Sequence, residues 1–123
     1  MDKSVIVLVD DQSFVCDLVK TMLKDKYVVQ AFISGETAIK YLSANSADLV
    51  LLDYDMPNMT GYEVLMAIRS DQRTSNTPVI FITGVANTRM EEEMIERGAN
   101  DYIRKPIEMS TLHECVEKHL KVR

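Results

Sequence analysis

Short apolar runs alternate with stretches of helical period along the whole chain. The runs SVIVLV (Ser4–Val9), YVVQAF (Tyr27–Phe32), DLVLL (Asp48–Leu52), PVIFIT (Pro78–Thr83) and DYIR (Asp101–Arg104) predict five strands. The first, third and fourth are almost continuously apolar, as expected of parallel strands covered on both faces. Between them apolar residues recur at helical spacing: Phe14, Val15, Leu18, Val19, Met22 and Leu23, then Ala38, Ile39 and Leu42, then Tyr62, Leu65 and Ile68. Met90, Met94 and Ile95 give a fourth stripe and Leu112, Val116 and Leu120 a fifth. Each stripe is read as core packing. Five βα units predict an α/β domain over residues 1–123, a doubly wound parallel sheet with right-handed crossovers and helices on both faces.

Composition narrows this picture. A chain of 123 residues suits one domain with its own core. The net charge of −5 argues against a nucleic-acid surface. The basic residues Lys20, Lys24, Lys26, Lys118, Lys121 and Arg123 fall near expected helix ends, where solvated cations are favoured. No apolar run approaches the ~20 residues of a membrane span, and the N-terminus MDKSVIVLVDD is unlike a signal peptide. Cys16 and Cys115 read as buried, reduced thiols. His113 and His119 stand six apart, which does not suit a two-histidine metal face. A cytoplasmic protein with no membrane contact and no zinc site is expected.

In parallel sheets of this kind the chemistry gathers beyond the C-terminal strand ends. Reading only those ends gives Asp10 and Asp11, then Asp53, Thr83 with Gly84, and Arg104, Lys105 and Pro106. Asp10 or Asp11 could simply cap the first helix. Asp53, which ends an apolar run and leads into Tyr-Asp-Met-Pro, is harder to explain as solvation. Carboxylates ~4 Å apart repel by roughly 4 kcal/mol per pair at an effective dielectric of ~20. Lys105 supplies one offsetting charge, and the remainder asks for a hard divalent ion with oxygen ligands, Mg²⁺ foremost.

These residues resemble the receiver domain of two-component response regulators. Asp10-Asp11, DYDMPNMTG from Asp53, PVIFITG ending on Thr83 and Gly84, and GANDYIRKP from Gly98 stand in the family's order and spacing over essentially the whole chain. The resemblance implies a flavodoxin-like strand order of 2-1-3-4-5. It implies that Asp53 accepts a phosphoryl group from a sensor histidine kinase or histidine phosphotransfer protein. It further implies that Asp10, Asp11, Asp53 and the backbone carbonyl of Asp55 hold Mg²⁺, with Mn²⁺ able to take its place. Thr83 and Lys105 would bind phosphoryl oxygens, Tyr102 would be the switch aromatic coupled to Thr83, and the Lys105–Pro106 bond would be cis. The loop GVANTRM after Thr83 would move. Readout would use the face of the fourth helix, fifth strand and fifth helix, toward a downstream protein, an output domain or a homodimer partner. Such a domain catalyses only its own phosphorylation and dephosphorylation. Two departures, acidic Asp55 and apolar Val85, fall at positions that tune acyl-phosphate lifetime in the family.

Two rivals remain. A haloacid-dehalogenase-like phosphatase also places Asp-x-Asp after an apolar strand, but it begins with that strand and carries its acid pair late; here Asp10-Asp11 comes first. A degenerate receiver acting as a phosphate-independent binding module would lack site residues, and all five site positions are filled here.

Overall fold

In the computed structural model, which describes residues 3–84 and 87–120, strands and helices alternate in the expected order. They are β1 (Ser4–Val9), α1 (Ser13–Leu23), β2 (Tyr27–Phe32), α2 (Gly35–Ala44), β3 (Leu49–Asp53), α3 (Gly61–Ser70), β4 (Val79–Thr83), α4 (Thr88–Glu96), β5 (Asp101–Arg104) and α5 (Met109–His119). All strand pairs are parallel, in the order β2-β1-β3-β4-β5. The fold is the flavodoxin-like one expected. Val85, Lys121 and Arg123 lie outside the described residues. Among the described residues no helix is long and apolar enough to cross a membrane.

The two-residue period of a strand sorts the core into two layers. Ile6, Leu8, Leu49, Leu51, Ile80, Ile82 and Ile103 pack toward α1 and α5. Val7, Val9, Val50, Leu52, Val79 and Phe81 pack toward α2, α3 and α4. β3 and β4 are buried at every position, which is why their sequences read as apolar runs and not as alternations.

Several expected details shift for visible reasons. β3 begins at Leu49 because Asp48 closes its entrance: its N–H donates to Val5 O (2.8 Å) and its carboxylate accepts from Val5 N–H (2.7 Å). β4 begins at Val79 because Pro78 has no N–H for the ladder. On α1 the buried arc is Val15, Cys16, Val19 and Leu23, whereas Phe14 and Leu18 are exposed. The Cys16 thiol donates to the buried Asp10 carbonyl (3.4 Å), and this inward edge leaves Phe14 and Leu18 outside. On α4 Met94 is fully buried but Ile95 is 46% exposed, and Glu91 takes the inward position one turn earlier.

Gly61, the first residue of α3, lets that helix begin against the strand that carries Asp53. A Cβ there would lie 2.8 Å from the Asp53 carbonyl oxygen and 2.8 Å from Phe81 Cε1. Neither atom is the flexible tip of a long side chain. Gly61→Ala is therefore expected to cost about 1–3 kcal/mol in chemical denaturation, the range of an overpacked core. A cost near zero would show that the β3–α3 turn relaxes freely.

Candidate functional site

Alternation places the site as it places the core. Asp10, Asp53 and Lys105 each continue the α1–α5 side of their strands, two residues beyond Leu8, Leu51 and Ile103. The ladder persists past the strand ends, since Asp10 N–H donates to Phe32 O (3.0 Å) and Lys105 N–H to Thr83 O (2.8 Å). Three charged side chains from β1, β3 and β5 are thereby aimed into one space.

Lys105 Nζ lies 3.2 Å from Asp10 Oδ2 and 3.5 Å from Asp53 Oδ1. Asp10 is fully buried and Asp53 is 2% exposed. Asp10 Oδ1 accepts from Gln12 N–H (2.9 Å), and Asp53 Oδ1 receives a long contact from Asp55 N–H (3.4 Å). Burial, and next Asp10, push the Asp53 carboxyl up to about 6 against the opposing pull of Lys105. Burial presses the Lys105 ammonium down, but Asp53 and Asp10 together hold it above its ordinary value.

Neither Asp10 nor Asp11 caps α1. The N-cap is Gln12, which makes no side-chain cap bond. Asp11 is exposed, yet one of its oxygens lies within 4.8 Å of oxygens from Asp10 and Asp53. Asp10 Oδ2 is buried with no hydrogen bond, and Lys105 is its cationic contact. A buried, hydrogen-bond-orphaned carboxylate oxygen facing two further carboxylates fits a hard divalent cation: the donors are all oxygen and the net charge is negative.

Thr83 is buried at the end of β4 and continues the opposite, α4 side of the sheet, as does Tyr102 on β5. The Tyr102 hydroxyl donates to Glu91 Oε1 (3.0 Å), while Arg104 pairs with Glu91 Oε2 (2.6 Å). Pro106 follows a cis peptide bond. The Asp55 side chain is exposed.

Sequence reading missed Glu91, which lies in the run MEEEMIERG among acids that look equally solvated. Its spacing of three from Met94 was the available signal, because it puts both on one helical face. Arg69 was missed too. It donates to the carbonyls of Gly98, Ser75 and Thr77 and to Asn100 Oδ1, tying α3 to the segments that lead into β4 and β5.

Residues 6–117 match the family model described as "Response regulator receiver domain". The chain is 33% identical over 115 residues to the chemotaxis protein CheY of Pseudomonas aeruginosa, covering 92% of this chain and 93% of that one. It is 37% identical over 121 residues to a probable cyclic di-GMP phosphodiesterase of Vibrio cholerae, covering 98% of this chain but 27% of that protein. Among solved structures it resembles the receiver domain of the sensor histidine kinase PA1611 of Pseudomonas aeruginosa, solved with magnesium in its active-site cleft. That match has a TM-score of 0.88 at 25% identity and covers 97% of this chain and 98% of that one.

Proposed function

The chain belongs to the response regulator receiver family, whose domains are phosphorylation-activated signalling switches, and from that premise we propose that Asp53 is the residue phosphorylated. The observation that carries this assignment is a nearly inaccessible carboxyl group, pushed up to about 6, that shares Lys105 with the fully buried Asp10.

A carboxylate oxygen of Asp53 attacks the phosphorus of a phosphohistidine. The P–N bond breaks, the imidazole leaves and is protonated, and an acyl phosphate remains. The donor is a sensor histidine kinase or a histidine phosphotransfer protein. In this reading Lys105 neutralises charge on the transferred group, and the Thr83 hydroxyl meets one of its oxygens. Asp10, Asp11, Asp53 and the Asp55 carbonyl would hold Mg²⁺, which when bound supplies positive charge against the carboxylates and the incoming phosphoryl.

Phosphate adds ~1.5–2 negative charges, which draw Thr83 inward and open the space beside Tyr102. Glu91 holds that ring by its hydroxyl in the structure described here, so leaving this bond is part of the switch. The readout surface is the α4–β5–α5 face, offered to a downstream protein, an output domain or a second copy. The domain acts chemically only on itself and works in the cytoplasm.

Intact mass after incubation with Mg²⁺ and a small acyl-phosphate donor tests the assignment. One phosphoryl group is expected on the parent protein and none on Asp53→Asn; labelling that persists in Asp53→Asn would move the acceptor elsewhere. Following the decay of that adduct in Asp55→Asn tests the tuning role of Asp55, and an unchanged half-life removes its side chain from the mechanism.

A further inference from the structure

At the opposite end of β5 from Lys105, three side chains converge that the phosphorylation chemistry does not use. His119 Nε2 lies 2.8 Å from Asp101 Oδ2, and Cys115 Sγ lies 3.5 Å from the same oxygen. One donor atom from each of the three stands within 4.8 Å of the other two. We propose that Asp101, Cys115 and His119 form a binding site for a borderline-soft divalent cation of the zinc class.

The fold builds this cluster from two elements. Cys115 and His119 are one turn apart on α5, so they stack on the same face of the helix. Asp101 is the first residue of β5, on the α5 side of the sheet by the alternation that buries Ile103 there. Its Oδ1 accepts from Tyr102 N–H (2.9 Å), which leaves Oδ2 turned toward the helical pair. Cys115 is buried, and the side chains of His119 and Asp101 are 17% and 27% exposed. The cluster borders a surface hollow lined by Asp101, Thr111, Glu114, Cys115 and Lys118, through which an ion and a fourth, water ligand can enter.

Donor chemistry selects the ion. One sulfur, one imidazole nitrogen and one carboxylate oxygen match Zn²⁺ and Co²⁺ and not Mg²⁺ or Ca²⁺, whereas the cluster around Asp53 offers only oxygen. Tetrahedral ligands at normal Zn²⁺ distances stand about 3.3–3.8 Å apart, so only small side-chain adjustments are needed. Two protons are rearranged on binding. The thiol proton leaves to solvent, and a proton on His119 Nε2 leaves or moves to Nδ1, so that Nε2 can ligate. The thiolate and the Asp101 carboxylate then balance the +2 charge. Lys118, 4.0 Å from Asp101 Oδ2 and 72% exposed, swings out into water. The absence of a zinc site expected from the sequence rested on pairing His119 with His113. His113 is occupied elsewhere, its Nε2 2.8 Å from the Met22 carbonyl.

The four residue steps from Asp101 to Lys105 span ~13 Å of extended chain, so the two sites are distinct and are tested separately. Metal-stripped, reduced protein is titrated with Co²⁺ and then with Zn²⁺. One equivalent of Co²⁺ is expected to give a thiolate-to-cobalt charge-transfer band that Zn²⁺ abolishes. The band should survive in Cys16→Ser, His113→Asn and Asp53→Asn, vanish in Cys115→Ser, and need at least tenfold more Co²⁺ in His119→Asn. A band absent from folded parent protein overturns the site, as does one that persists in Cys115→Ser or is unmoved by His119→Asn. Should Cys115→Ser not fold, His119→Asn decides, since that side chain reaches solvent.

Discussion

Replacing Asp53 with Asn is expected to stabilise the protein. A carboxyl that titrates at about 6 in the fold and 3.8 in an unfolded chain holds its proton more tightly when folded. The stability it contributes is complete below pH 3.8, falls as pH rises through 6, and is flat above that. At pH 8 the ionised group therefore costs on the order of 3 kcal/mol, and Asp53→Asn removes that cost. Urea denaturation in the presence of a chelator, from pH 4 to pH 8, measures the effect. The variant should match the parent near pH 4 and exceed it by up to about 3 kcal/mol at pH 8. A gain independent of pH would mean that ionisation of Asp53 is not its source. Asp10 and Lys105 face the same group, so their charges set how much of the gain is realised.

Lys105→Met is expected to do the opposite. It leaves two buried carboxylates against each other without their shared cation. Breaking a fully buried pair costs about 3–5 kcal/mol, and the partial exposure of Lys105 lowers this to about 2 kcal/mol at neutral pH in metal-free protein. Millimolar Mg²⁺ should restore part of the loss, because it acts on the same excess charge. The double variant with Asp53→Asn should lose less than Lys105→Met alone; strict additivity would show that the ion pair carries no coupling. Phosphorylation of Lys105→Met by a small acyl-phosphate donor should also fall steeply, since Mg²⁺ alone would then face the incoming charge.

The sequence announced the sheet because its buried strands leave no choice of register: an apolar run of five residues between helical stripes can sit only in a covered position. Asp10, Asp53 and Lys105 were equally legible, since each stands just past or at the end of such a run and the parity of the strand sends all three to one side. Alternation also separates Thr83 and Tyr102 onto the α4 side, and the sequence contained that information too. Cys16 was read as buried and is, but the exposure of Phe14 and Leu18 on α1 and the inward Glu91 of α4 were not legible. Phe14 and Ile95 are better apolar candidates than Cys16 and Glu91, but Cys16 is drawn in by the Asp10 carbonyl, and Glu91 by Tyr102 and Arg104. Hydrogen-bond partners outside each helix overruled hydrophobicity. The same holds for Asp101, Cys115 and His119, whose proximity depends on how α5 lies against β5.

The holding of α4 has one more consequence. Its sole fully buried apolar side chain is Met94, whereas α1, α3 and α5 each bury three or more residues beneath them. Its other inward group, Glu91, is retained by polar bonds at the margin of solvent. Opening α4 therefore exposes little oil to water while the five strands stay paired, which defines a low-energy partial unfolding separate from the global one. In hydrogen-exchange terms the amides of Thr88–Glu96 belong to the first cooperative unit to open, and those of β3 and β4 to the last. A helix so lightly moored can be repositioned by a single new charge at the rim without a cost to the rest of the domain.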